Sequence, residues 1–599
     1  MPHPPPPGVL RCLRGLPSPV SPHTDVYWLC GNAGAAPIHR IEFAPNVHLP
    51  PRQHFSAELP ARLKILHFND LHGHICRFSS HGETPIFARM VSRIRTLRRE
   101  WTGRPRSALL VLSAGDDLVG SVFDELLGRD AESFQVHAGY RLYSAAGVQA
   151  AALGNHDFDM GPDVLAQAIR RDAQFPILSA NLVGSRRLEG LVHPAALFVS
   201  GGIRIGVIGL STPGEIGELW LQEFRLINPV QVVHNLLPAL RPLCDVLIIL
   251  SHLGYSLDSG TATVRYAGDV ELARSLPRGS VQLIVGGHTH SILNEQGLSP
   301  QNVVNDIAIV QAGTLGEFLG EVDITLRGTP AVTHARLNRT ALMPVDEAFE
   351  QEHVLPLKEM AAPLLAAPLG RTENLPDLGT DCVRNDLAAG ESGMANFIAD
   401  ALVNRCRARG HPVDLAFVDA TCIRTGIPIG GTVTFGQWFN VMPFADTIRL
   451  CWLTGRQLLA LLQDNAHRID RPGEPHIERG FLHFSSQIRY TIETGATRAD
   501  ARVRDVTFEN EPLEHHLDRP LLAACTSFVR QPASAWEQLA VRTYHLQLFD
   551  LGKLSHLDTG LFLRRELVQY IRDCGGVTAA CGARRDGRLV VRHDTHPPT

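Results

Sequence analysis

The sequence predicts an α/β protein built from two large domains. Short apolar runs alternate with amphipathic stretches from Leu63 to Ile324, which is the pattern of an α/β domain. A later block, residues 371–580, mixes helix-like and strand-like segments without that alternation and indicates an α+β domain. The length of 599 residues accommodates both domains and shorter appendages.

The composition supports folded domains and excludes several classes of protein. Hydrophobic residues make up 44% of the chain, which is enough for sizeable cores. Lys and Arg number 56 against 61 Asp and Glu, and the net charge of −5 excludes a disordered chain and a general surface for nucleic acid polymers. Because no apolar run reaches about 18 residues, we expect no membrane-spanning helix.

The cysteines and the N-terminus bear on the compartment. Eleven cysteines are scattered without a CxxC pair, which argues against a disulfide framework or a structural zinc cluster. Prolines interrupt residues 1–22, so this segment as written does not have the apolar core of a secretory signal. We therefore expect a cytoplasmic protein, whereas a misassigned start site would imply a periplasmic one.

The same patterns predict the order of segments along the chain. The predicted segments are a Pro-rich irregular arm (1–60), an α/β domain (61–340), a helical connector (341–370), an α+β domain (371–580) and a frayed tail (581–599). Pro356 is expected to interrupt the connector helix. Within the second domain we expect helices at 394–406 and 454–464 and a strand at 433–439.

Five of six apolar, strand-like runs end directly in groups that can bind a metal ion. The candidate residues that follow the runs 64–68, 108–113, 148–153, 245–250 and 281–285 are, in order, Asp70 and His72; Asp116; Asn155, His156 and Asp159; His252; and His288 and His290. The sixth run, 203–210, is followed only by hydroxyl groups. Because sites in α/β sheets form beyond the carboxyl ends of strands, we expect these loops to converge.

The residue types in these loops predict a metal centre. Carboxylates, imidazoles and an amide oxygen suit Mn²⁺, Zn²⁺ or Fe, and the absence of a thiolate argues against a zinc–cysteine site. Asp70 and His72, like His288 and His290, are two residues apart, so an extended backbone would place each pair on one face. Among 28 histidines, a single one beside a carboxylate is usually structural. Five such loops in one domain outweigh that interpretation.

The order and spacing of these motifs resemble the calcineurin-like metallophosphoesterases. The segments ILHFNDLHGHI, LSAGDD, ALGNHDFDMG, SHLG and VGGHTH are similar to the branch that contains 5′-nucleotidases, UDP-sugar hydrolases and 2′,3′-cyclic-nucleotide phosphodiesterases. The segments ESGMANFIADAL (391–402), IRTGIP (423–428) and VMPFADTIRLCWLTGRQL (441–458) resemble the C-terminal substrate-binding domain of that branch. The resemblance spans about residues 61–580 and implies a four-layer αββα domain followed by an α+β domain.

The resemblance also implies two divalent metal ions and a role for each candidate residue. The implied ligands are Asp70, His72, Asp116 and His290 for one ion, and Asn155, His252 and His288 for the other, with Asp116 bridging the two. His156, oriented by Asp159, would form a catalytic dyad. The implied reaction is hydrolysis of a nucleotide phosphoester by a metal-activated water.

Substrate recognition is implied to lie in the second domain. The candidate residues are Arg384, Arg424, Phe444 and Phe528. Guanidinium groups suit phosphate or sugar oxygens, and two rings can sandwich a base, whereas the alternatives are surface arginines and core phenylalanines. Two segments depart from the family pattern: VDATC (418–422) replaces an Asn-Gly-Gly-type run, and VRQPASAW (529–536) replaces a Gly-Gly-Asp run. We therefore expect altered nucleoside recognition.

Several functions fit these observations. The first is 5′-nucleotidase-like phosphomonoester hydrolysis, with a small nucleotide or nucleotide-like phosphoester as partner. The alternative on the same metals is hydrolysis of 2′,3′-cyclic nucleotides, other phosphodiesters or UDP-sugars. Sulfur-ester hydrolysis is known on a related scaffold, but no residue here favours it. From a different class, a nucleotide- or metal-binding protein without catalysis would not need His156 and Asp159.

Overall fold

The computed structural model describes most of the chain. The described residues are 5–34, 36–79, 82–117, 119–128, 130–213, 223–257, 267–443, 446–474, 476, 479–527, 540–541, 544–546 and 548–593. The chain divides into two compact units, Met1–Ala361 and Ala362–Thr599.

The first unit contains strands and helices in alternation. Its strands are β1 (Val9–Arg14), β2 (Thr24–Cys30), β3 (Arg40–Phe43), β4 (Ala61–Phe68), β5 (Cys76–Ser79), β6 (Gly82–Pro85), β7 (Ser107–Ser113), β8 (Ala150–Ala152), β9 (Ile177–Leu178), β10 (Leu182–Val183), β11 (Val192–His193), β12 (Ala195–Ser200), β13 (Ile203–Ser211), β14 (Arg225–Leu226), β15 (Val246–His252), β16 (Leu283–Val285), β17 (Val303–Val304), β18 (Ile307–Val310), β19 (Phe318–Arg327) and β20 (Thr329–Arg339). Its helices are α1 (Phe87–Trp101), α2 (Ala138–Ala146), α3 (Pro162–Asp172), α4 (Pro229–Leu240), α5 (Asp269–Ser275), α6 (Glu347–Phe349) and α7 (Leu355–Ala366), the last of which ends beyond the unit boundary.

Two large sheets of this unit lie face to face. One has the order β17-β18-β16-β15-β13-β12-β2-β1-β3, and the other has the order β11-β9-β8-β7-β4-β19-β20. Leu63 of one sheet and Ile248 of the other belong to the same buried cluster. A second cluster packs Leu236 of α4 and Leu272 of α5 against the outer face of the first sheet, and α1 contacts β7 of the second sheet. The αββα layering is therefore confirmed.

The parallel strands of both sheets explain how the site is assembled. In one sheet β13, β15, β16 and β18 run parallel, and in the other β4, β7, β8 and β9 do so. These strands are nearly all apolar and buried on both faces, as expected for parallel sheets covered by helices. Their carboxyl ends carry the loops with the candidate metal ligands.

The N-terminal arm differs from the expected irregular segment. The arm carries β1, β2 and β3, and β2 pairs antiparallel with β12, which joins these strands to the large sheet. The prolines of the arm lie outside these strands, while VLRCLR and TDVYWLC have the alternating apolar residues that a sheet requires. Proline content therefore predicted too little structure for this segment.

The connector is more continuously helical than expected. A π-helical segment, Glu350–Val354, leads directly into α7, and Pro356 lies in the first turn of α7. The helical backbone runs on through Pro356, so this proline does not end the helix as expected. The π-helical turn directly before it departs from the regular i→i−4 hydrogen bonds that an interior proline would interrupt.

The second unit is an α+β domain. Its strands are β21 (Pro368–Thr372), β22 (Leu415–Asp419), β23 (Thr432–Thr434), β24 (Thr447–Thr454), β25 (Leu482–Phe484), β26 (Ile488–Glu493), β27 (Arg502–Phe508), β28 (Glu511–Pro512), β29 (Pro520–Thr526), β30 (His556–Phe562), β31 (Gly576–Val577) and β32 (Leu589–Arg592). Its helices are α8 (Thr380–Asp386), α9 (Gly393–Ala408), α10 (Phe435–Val441), α11 (Gly455–Arg468) and α12 (Leu563–Asp573). The sheets have the orders β25-β22-β29-β24-β30, β28-β27-β26-β32 and β23-β21-β31.

Side-chain capping explains where two helices of this unit begin, one expected and one not. The helix expected at 394–406 is α9, whose first turn is capped by the Ser392 hydroxyl. The strand expected at 433–439 was wrong: only the first residues belong to β23, and α10 follows. A capping box between Thr434 and Gln437 starts that helix. The expected frayed tail contains β32, which pairs parallel with β26.

The described residues bear on disulfide bonds and on membrane-spanning helices. No disulfide bond links the cysteines in the described part of the chain. Among the same residues, no helix is both long enough and apolar enough to cross a bilayer.

Candidate active site

The candidate ligands lie in loops that follow parallel strands of both large sheets. Asp70, Asp116 and Asn155 follow β4, β7 and β8 of one sheet, whereas His252 ends β15 and His288 follows β16 of the other. Two groups of donor atoms form, each with its atoms within 4.8 Å of one another: Asp70, His72 and His290, and Asp116, His252 and His288. The convergence expected at the strand ends is present in the geometry.

The two carboxylates connect the two groups. Asp70 Oδ1 lies 3.3 Å from His290 Nε2 and 3.8 Å from His252 Nε2. Asp116 Oδ2 lies 3.0 Å from His252 Nε2 and 3.9 Å from His72 Nε2. Each carboxylate therefore faces histidines of both groups.

Asn155 belongs to the second group. Its Oδ1 lies 3.0 Å from His288 Nδ1, and the side chain is almost completely buried. All seven sequence-predicted metal ligands therefore lie at this one site.

The ligand loops have an unusual backbone. A positive φ is found at Asp70 (50°), His72 (47°), Asp116 (52°), His288 (76°) and His290 (54°). The left-handed region costs a residue with a Cβ roughly 1–2 kcal/mol, so a concentration of such residues in one site is characteristic of functional strain. Because these segments are not extended, His288 and His290 turn towards different groups and do not share one face as expected.

Glycine is required where these loops approach each other. A Cβ on Gly154 would lie 2.0 Å from Asp116 Oδ1, and one on Gly287 would lie 2.8 Å from His252 Nδ1. Any larger residue at either position would displace a candidate ligand.

Hydrogen bonds assign the ring nitrogens that face the site. His252 Nδ1 lies 2.7 Å from the carbonyl oxygen of Ala114, and His72 Nδ1 lies 3.0 Å from that of Val119. A carbonyl only accepts, so each Nδ1 carries a hydrogen, and each ring in its neutral form directs the lone pair of Nε2 into the site. Such a lone pair 3.0 Å from a carboxylate oxygen is favourable only with a proton or a metal ion between them. The donor set therefore fits divalent cations.

The titration behaviour reflects the same juxtaposition. Burial would raise the pKa of Asp116, but the imidazoles of His252 and His156 hold it well below its usual range. Burial would lower the pKa of His252, but the carboxylates of Asp116 and Asp70 raise it to about 10. Burial lowers the pKa of His72 to about 4, so this ring is neutral at physiological pH. Without a cation, a proton on His252 compensates part of the carboxylate charge.

His156 lies beside the metal-ligand groups and is more accessible than most of the ligands. Its Nδ1 lies 2.8 Å from Asp159 Oδ2, its backbone N–H donates to Asp116 Oδ1 over 2.9 Å, and its side chain is 42% exposed. Its ring centroid is 5.3 Å from that of His72. The contact with Asp159 fixes the orientation of the ring.

The sequence reasoning missed a buried carboxylate behind these loops. Asp157 accepts backbone N–H donors from Asp116 (3.2 Å), Asp117 (3.2 Å) and Gly154 (2.7 Å), and so ties two ligand loops together. Burial, together with the nearby Asp117 and Asp116, raises the pKa of Asp157 well above its usual range. Its place in GNHDFD between Asn155 and Asp159 was a signal, but nothing in the sequence distinguished it from a solvated carboxylate.

The substrate-binding candidates of the second unit are only partly described. Arg384 in α8 and Arg424 are exposed, and Arg424 Nη1 donates to the carbonyl oxygen of Thr421 over 3.1 Å. The Thr380 and Thr425 hydroxyls lie 3.1 Å apart, so the segments that carry these arginines are neighbours. Phe444 and Phe528 lie outside the described residues.

Comparison with known families identifies both units. Residues 63–291 match the calcineurin-like phosphoesterase family, and residues 368–517 match the 5′-nucleotidase C-terminal domain. Together these matches span the metal-ligand loops of the first unit and much of the second.

Curated relatives match across both units. The protein UshA of Salmonella pullorum is 29% identical over 450 residues, which cover 69% of this chain and 78% of the relative. A 5′-nucleotidase of Vibrio parahaemolyticus is 28% identical over 454 residues, which cover 69% of this chain and 76% of the relative.

Solved structures share the fold. The crystal structure of a 5′-nucleotidase precursor from Thermus thermophilus aligns with a TM-score of 0.54 at 24% identity, covering 90% of this chain and 100% of that one. At this identity the similarity supports the fold alone.

Proposed function

We propose that the chain hydrolyses nucleotide phosphoesters at the strand-end site. It joins a calcineurin-like phosphoesterase domain to a 5′-nucleotidase C-terminal domain and so belongs to the 5′-nucleotidase family. The favoured reaction is phosphomonoester hydrolysis of a nucleotide, and phosphodiester or UDP-sugar hydrolysis on the same site is the alternative. The proposed enzyme is a hydrolase of nucleotide catabolism.

One observation carries this proposal. Two groups of donor atoms, one containing Asp70 and the other Asp116, lie beside a half-exposed histidine, His156, which has its own carboxylate partner. A purely structural cluster needs no accessible imidazole whose ring is fixed by Asp159. The combination is the arrangement expected of a hydrolytic site.

Seven side chains are proposed as metal ligands. Asp70, His72, Asp116 and His290 would hold one ion, and Asn155, His252 and His288 would hold the other, with Asp116 shared between them. When bound, two divalent cations supply Lewis acidity towards phosphoryl oxygens and a nucleophile at neutral pH. The oxygen and nitrogen donors suit Mn²⁺, Zn²⁺ or Fe.

The sharing of Asp116 is supported by its position. Its Oδ2 is near a histidine of each group, His252 at 3.0 Å and His72 at 3.9 Å. Its Oδ1 accepts the backbone N–H of His156. Asp116 thus also fixes the start of the turn that carries His156.

The protein's own proton chemistry is assigned to His156. Asp159 accepts from Nδ1 and stabilises the imidazolium, so Nε2 can hold a proton for the leaving oxygen of the substrate. The charged ring also stabilises the negative charge that develops on the phosphoryl group. Its exposure allows contact with a bound substrate, which the buried His252 does not permit.

Recognition of the nucleotide is proposed for the second unit. Arg384 and Arg424 are exposed guanidinium groups on neighbouring segments, and such groups bind phosphate and sugar oxygens. Phe444 and Phe528 are proposed to contact the base. The replacement of a glycine run by Asp419, Ala420 and Thr421 favours a ligand that approaches the backbone less closely than a standard nucleoside does.

Hydrolysis by metal-depleted protein tests the proposal, measured as phosphate release from the monoesters and as formation of the monoester, nucleotide or phenol product from the other substrates. The protein is reloaded separately with Mn²⁺, Zn²⁺ and Mg²⁺ and given AMP, UMP, a UDP-sugar, 2′,3′-cAMP and an aryl phosphodiester. We expect metal-dependent turnover that His156→Ala lowers by about 10²–10⁴-fold while the bound metal is retained. The ranking of substrates separates monoester from diester hydrolysis.

The second unit supplies a matched control. His476 and Asp470 form another exposed His–Asp pair, with Nδ1 and Oδ2 2.7 Å apart. His476→Ala should leave turnover within about twofold of the parent protein, because this pair lies outside the metal-ligand loops. Full metal loading without turnover of any substrate on the panel would overturn the hydrolase proposal in favour of a binding role.

A further inference from the structure

One strand-end segment without any metal-binding group contacts the ligand loops. Residues 311–315, with the sequence QAGTL, follow β18, the next parallel strand after β16. This segment hydrogen-bonds both to the loop of His288 and His290 and to the loop of Asp70. We refer to residues 311–315 as the clamp segment.

Gln311 holds the histidine loop through both ends of its amide. Its Nε2 donates to the carbonyl oxygen of Gly287 over 2.6 Å. Its Oε1 accepts from the Thr289 hydroxyl (3.1 Å) and from the backbone N–H of Ser291. Gln311 is 1% exposed. The three residues that it contacts, 287, 289 and 291, alternate along the chain with the two histidines.

Asn69 connects the clamp segment to the Asp70 carboxylate. Its Nδ2 donates to Asp70 Oδ2 (2.6 Å) and to the carbonyl oxygen of Gly313 (2.7 Å), and its Oδ1 accepts the N–H of Ala312 (2.8 Å). The side chain is 2% exposed. All of its amide contacts thus go either to the ligand or to the clamp segment.

The clamp segment also fixes the backbone of Asp70. The Asp70 carbonyl oxygen accepts the N–H of Leu315 (2.8 Å) and the hydroxyl of Thr314 (3.0 Å). Because Asp70 is in the left-handed region, its carboxylate direction depends on such external contacts.

We propose that Asn69 and Gln311 are positioning residues that set the Asp70 carboxylate and the histidine loop in one metal-binding geometry. This inference rests on the metal site proposed above and names the residues that prearrange it. Neither side chain touches the reacting atoms. Each acts through a ligand, and groups in this position commonly change metal affinity or activity by 10–100-fold when removed.

Binding of Mn²⁺ alone tests the inference. Calorimetric titration of the metal-free full chain, with electron paramagnetic resonance to count bound Mn²⁺, gives a dissociation constant that does not depend on turnover. We expect Gln311→Ala and Asn69→Ala to bind Mn²⁺ about 10–100-fold more weakly than the parent chain. Turnover should recover towards the parent value as Mn²⁺ is raised, because His156 and Asp159 are untouched.

Gln282 provides the matched control. It is also a buried glutamine of this sheet, 4% exposed, whose Oε1 accepts from Leu247 N–H (2.9 Å) and whose Nε2 donates to the Gly279 carbonyl oxygen (2.9 Å). Gln282→Ala removes the same kind of contacts at the opposite end of β16. It should lower the unfolding midpoint and leave the Mn²⁺ dissociation constant within about twofold.

Thr289→Val supplies a milder variant if either alanine variant fails to fold. It keeps the volume of the side chain and removes the hydroxyl that donates to Gln311 and accepts the N–H of Tyr255, so we expect Mn²⁺ affinity to fall a few-fold. The folded variants among Gln311→Ala, Asn69→Ala and Thr289→Val are compared with the Gln282→Ala control. If they bind Mn²⁺ as tightly as that control, the inference is wrong and the proposed metal site still stands. An absence of Mn²⁺ binding by the parent chain would instead overturn the proposed site itself.

Discussion

The strand-end site of the first unit and an arginine cluster of the second unit bury carboxylates in different ways. In the second unit, Glu566 accepts from Arg405 Nε (2.8 Å) at one oxygen and from Arg409 Nη2 (2.7 Å) at the other, and Arg405 also pairs with Asp573 (2.8 Å). In the first unit, Asp70 and Asp116 face imidazoles. Guanidinium groups are permanent cations, whereas imidazoles can exchange their protons for a metal ion.

This difference separates a structural cluster from a functional one. Burial would raise the pKa of Glu566, but hydrogen bonds from Arg409 and Arg405 lower it, so the charged form is stabilised by the protein alone. The Asp116 carboxylate is stabilised chiefly by histidines whose own charge burial opposes. We infer that the strand-end site is distinguished from the arginine cluster by buried carboxylates whose negative charge is neutralised by histidine protons that a metal ion can replace.

Removal of the Asp116 charge should give the largest effect. Asp116→Asn takes away the carboxylate that faces both histidine groups, and the Lewis acidity of bound ions contributes several kcal/mol to such reactions. We therefore expect turnover to fall by at least about 10³-fold, together with a loss of bound metal, measured by phosphate release and by metal analysis. Normal metal content in this variant would contradict the shared role of Asp116.

The same kind of change in the arginine cluster should act on stability alone. Glu566→Gln leaves the buried Arg405 without its main carboxylate, at an expected cost of about 1–3 kcal/mol, below the value for a fully buried pair because Arg409 is half exposed. Faster amide hydrogen exchange in α9 and α12, with unchanged Mn²⁺ affinity, would support this. An altered Mn²⁺ affinity would remove the distinction between the two clusters.

The pH dependence of this contribution has a defined sign. Because the folded pKa of Glu566 lies below its unfolded value, its contribution is present above the unfolded pKa of about 4.3 and is lost as the pH falls through the folded pKa. The stability difference between the parent chain and Glu566→Gln should therefore shrink as the pH falls below about 4.3 and vanish only below the folded pKa.

The sequence predicted the strand ends well because the relevant signal is local. Each apolar run became a strand in the parallel part of one of the two large mixed sheets, and the ligand at its end lies where the sheet order requires. The family resemblance and the layered fold were confirmed by comparison and by the structure. The roles of the individual ligands, of His156 and of the arginines remain predictions.

Other features depended on information that is not local. His288 and His290 separate into different groups because their backbone is left-handed, which a spacing of two residues does not reveal. The strand expected at 433–439 became largely helical because of the capping box at Thr434. The clamp segment was not predicted because its residues are not among the candidate metal ligands. It acts through contacts 20–24 positions away in sequence at Gln311 and 244 positions away between Gly313 and Asn69.

The smallest and most specific effect concerns the protons that a metal ion must displace. In the metal-free chain, burial would lower the pKa of His252, but Asp116 and Asp70 raise it to about 10, so its ring is protonated at pH 7.5. The pKa of His290 is also raised, because the attraction of Asp70 outweighs burial. His72, with a pKa of about 4, is already neutral and releases nothing. Metal binding requires neutral rings, so these protons must leave.

Calorimetric titration of Mn²⁺ at pH 7.5, repeated in buffers of different ionisation enthalpy, should therefore show release of at least one proton per chain. The affinity should rise with pH by about tenfold per unit for each proton released, at pH values below the His252 pKa of about 10. The Glu566 cluster predicts no such linkage, because guanidinium groups keep their protons throughout this range. Metal binding without proton release would show that the negative charge of Asp70 and Asp116, like that of Glu566, is not neutralised by exchangeable protons. The proposed difference between the two clusters would then be wrong.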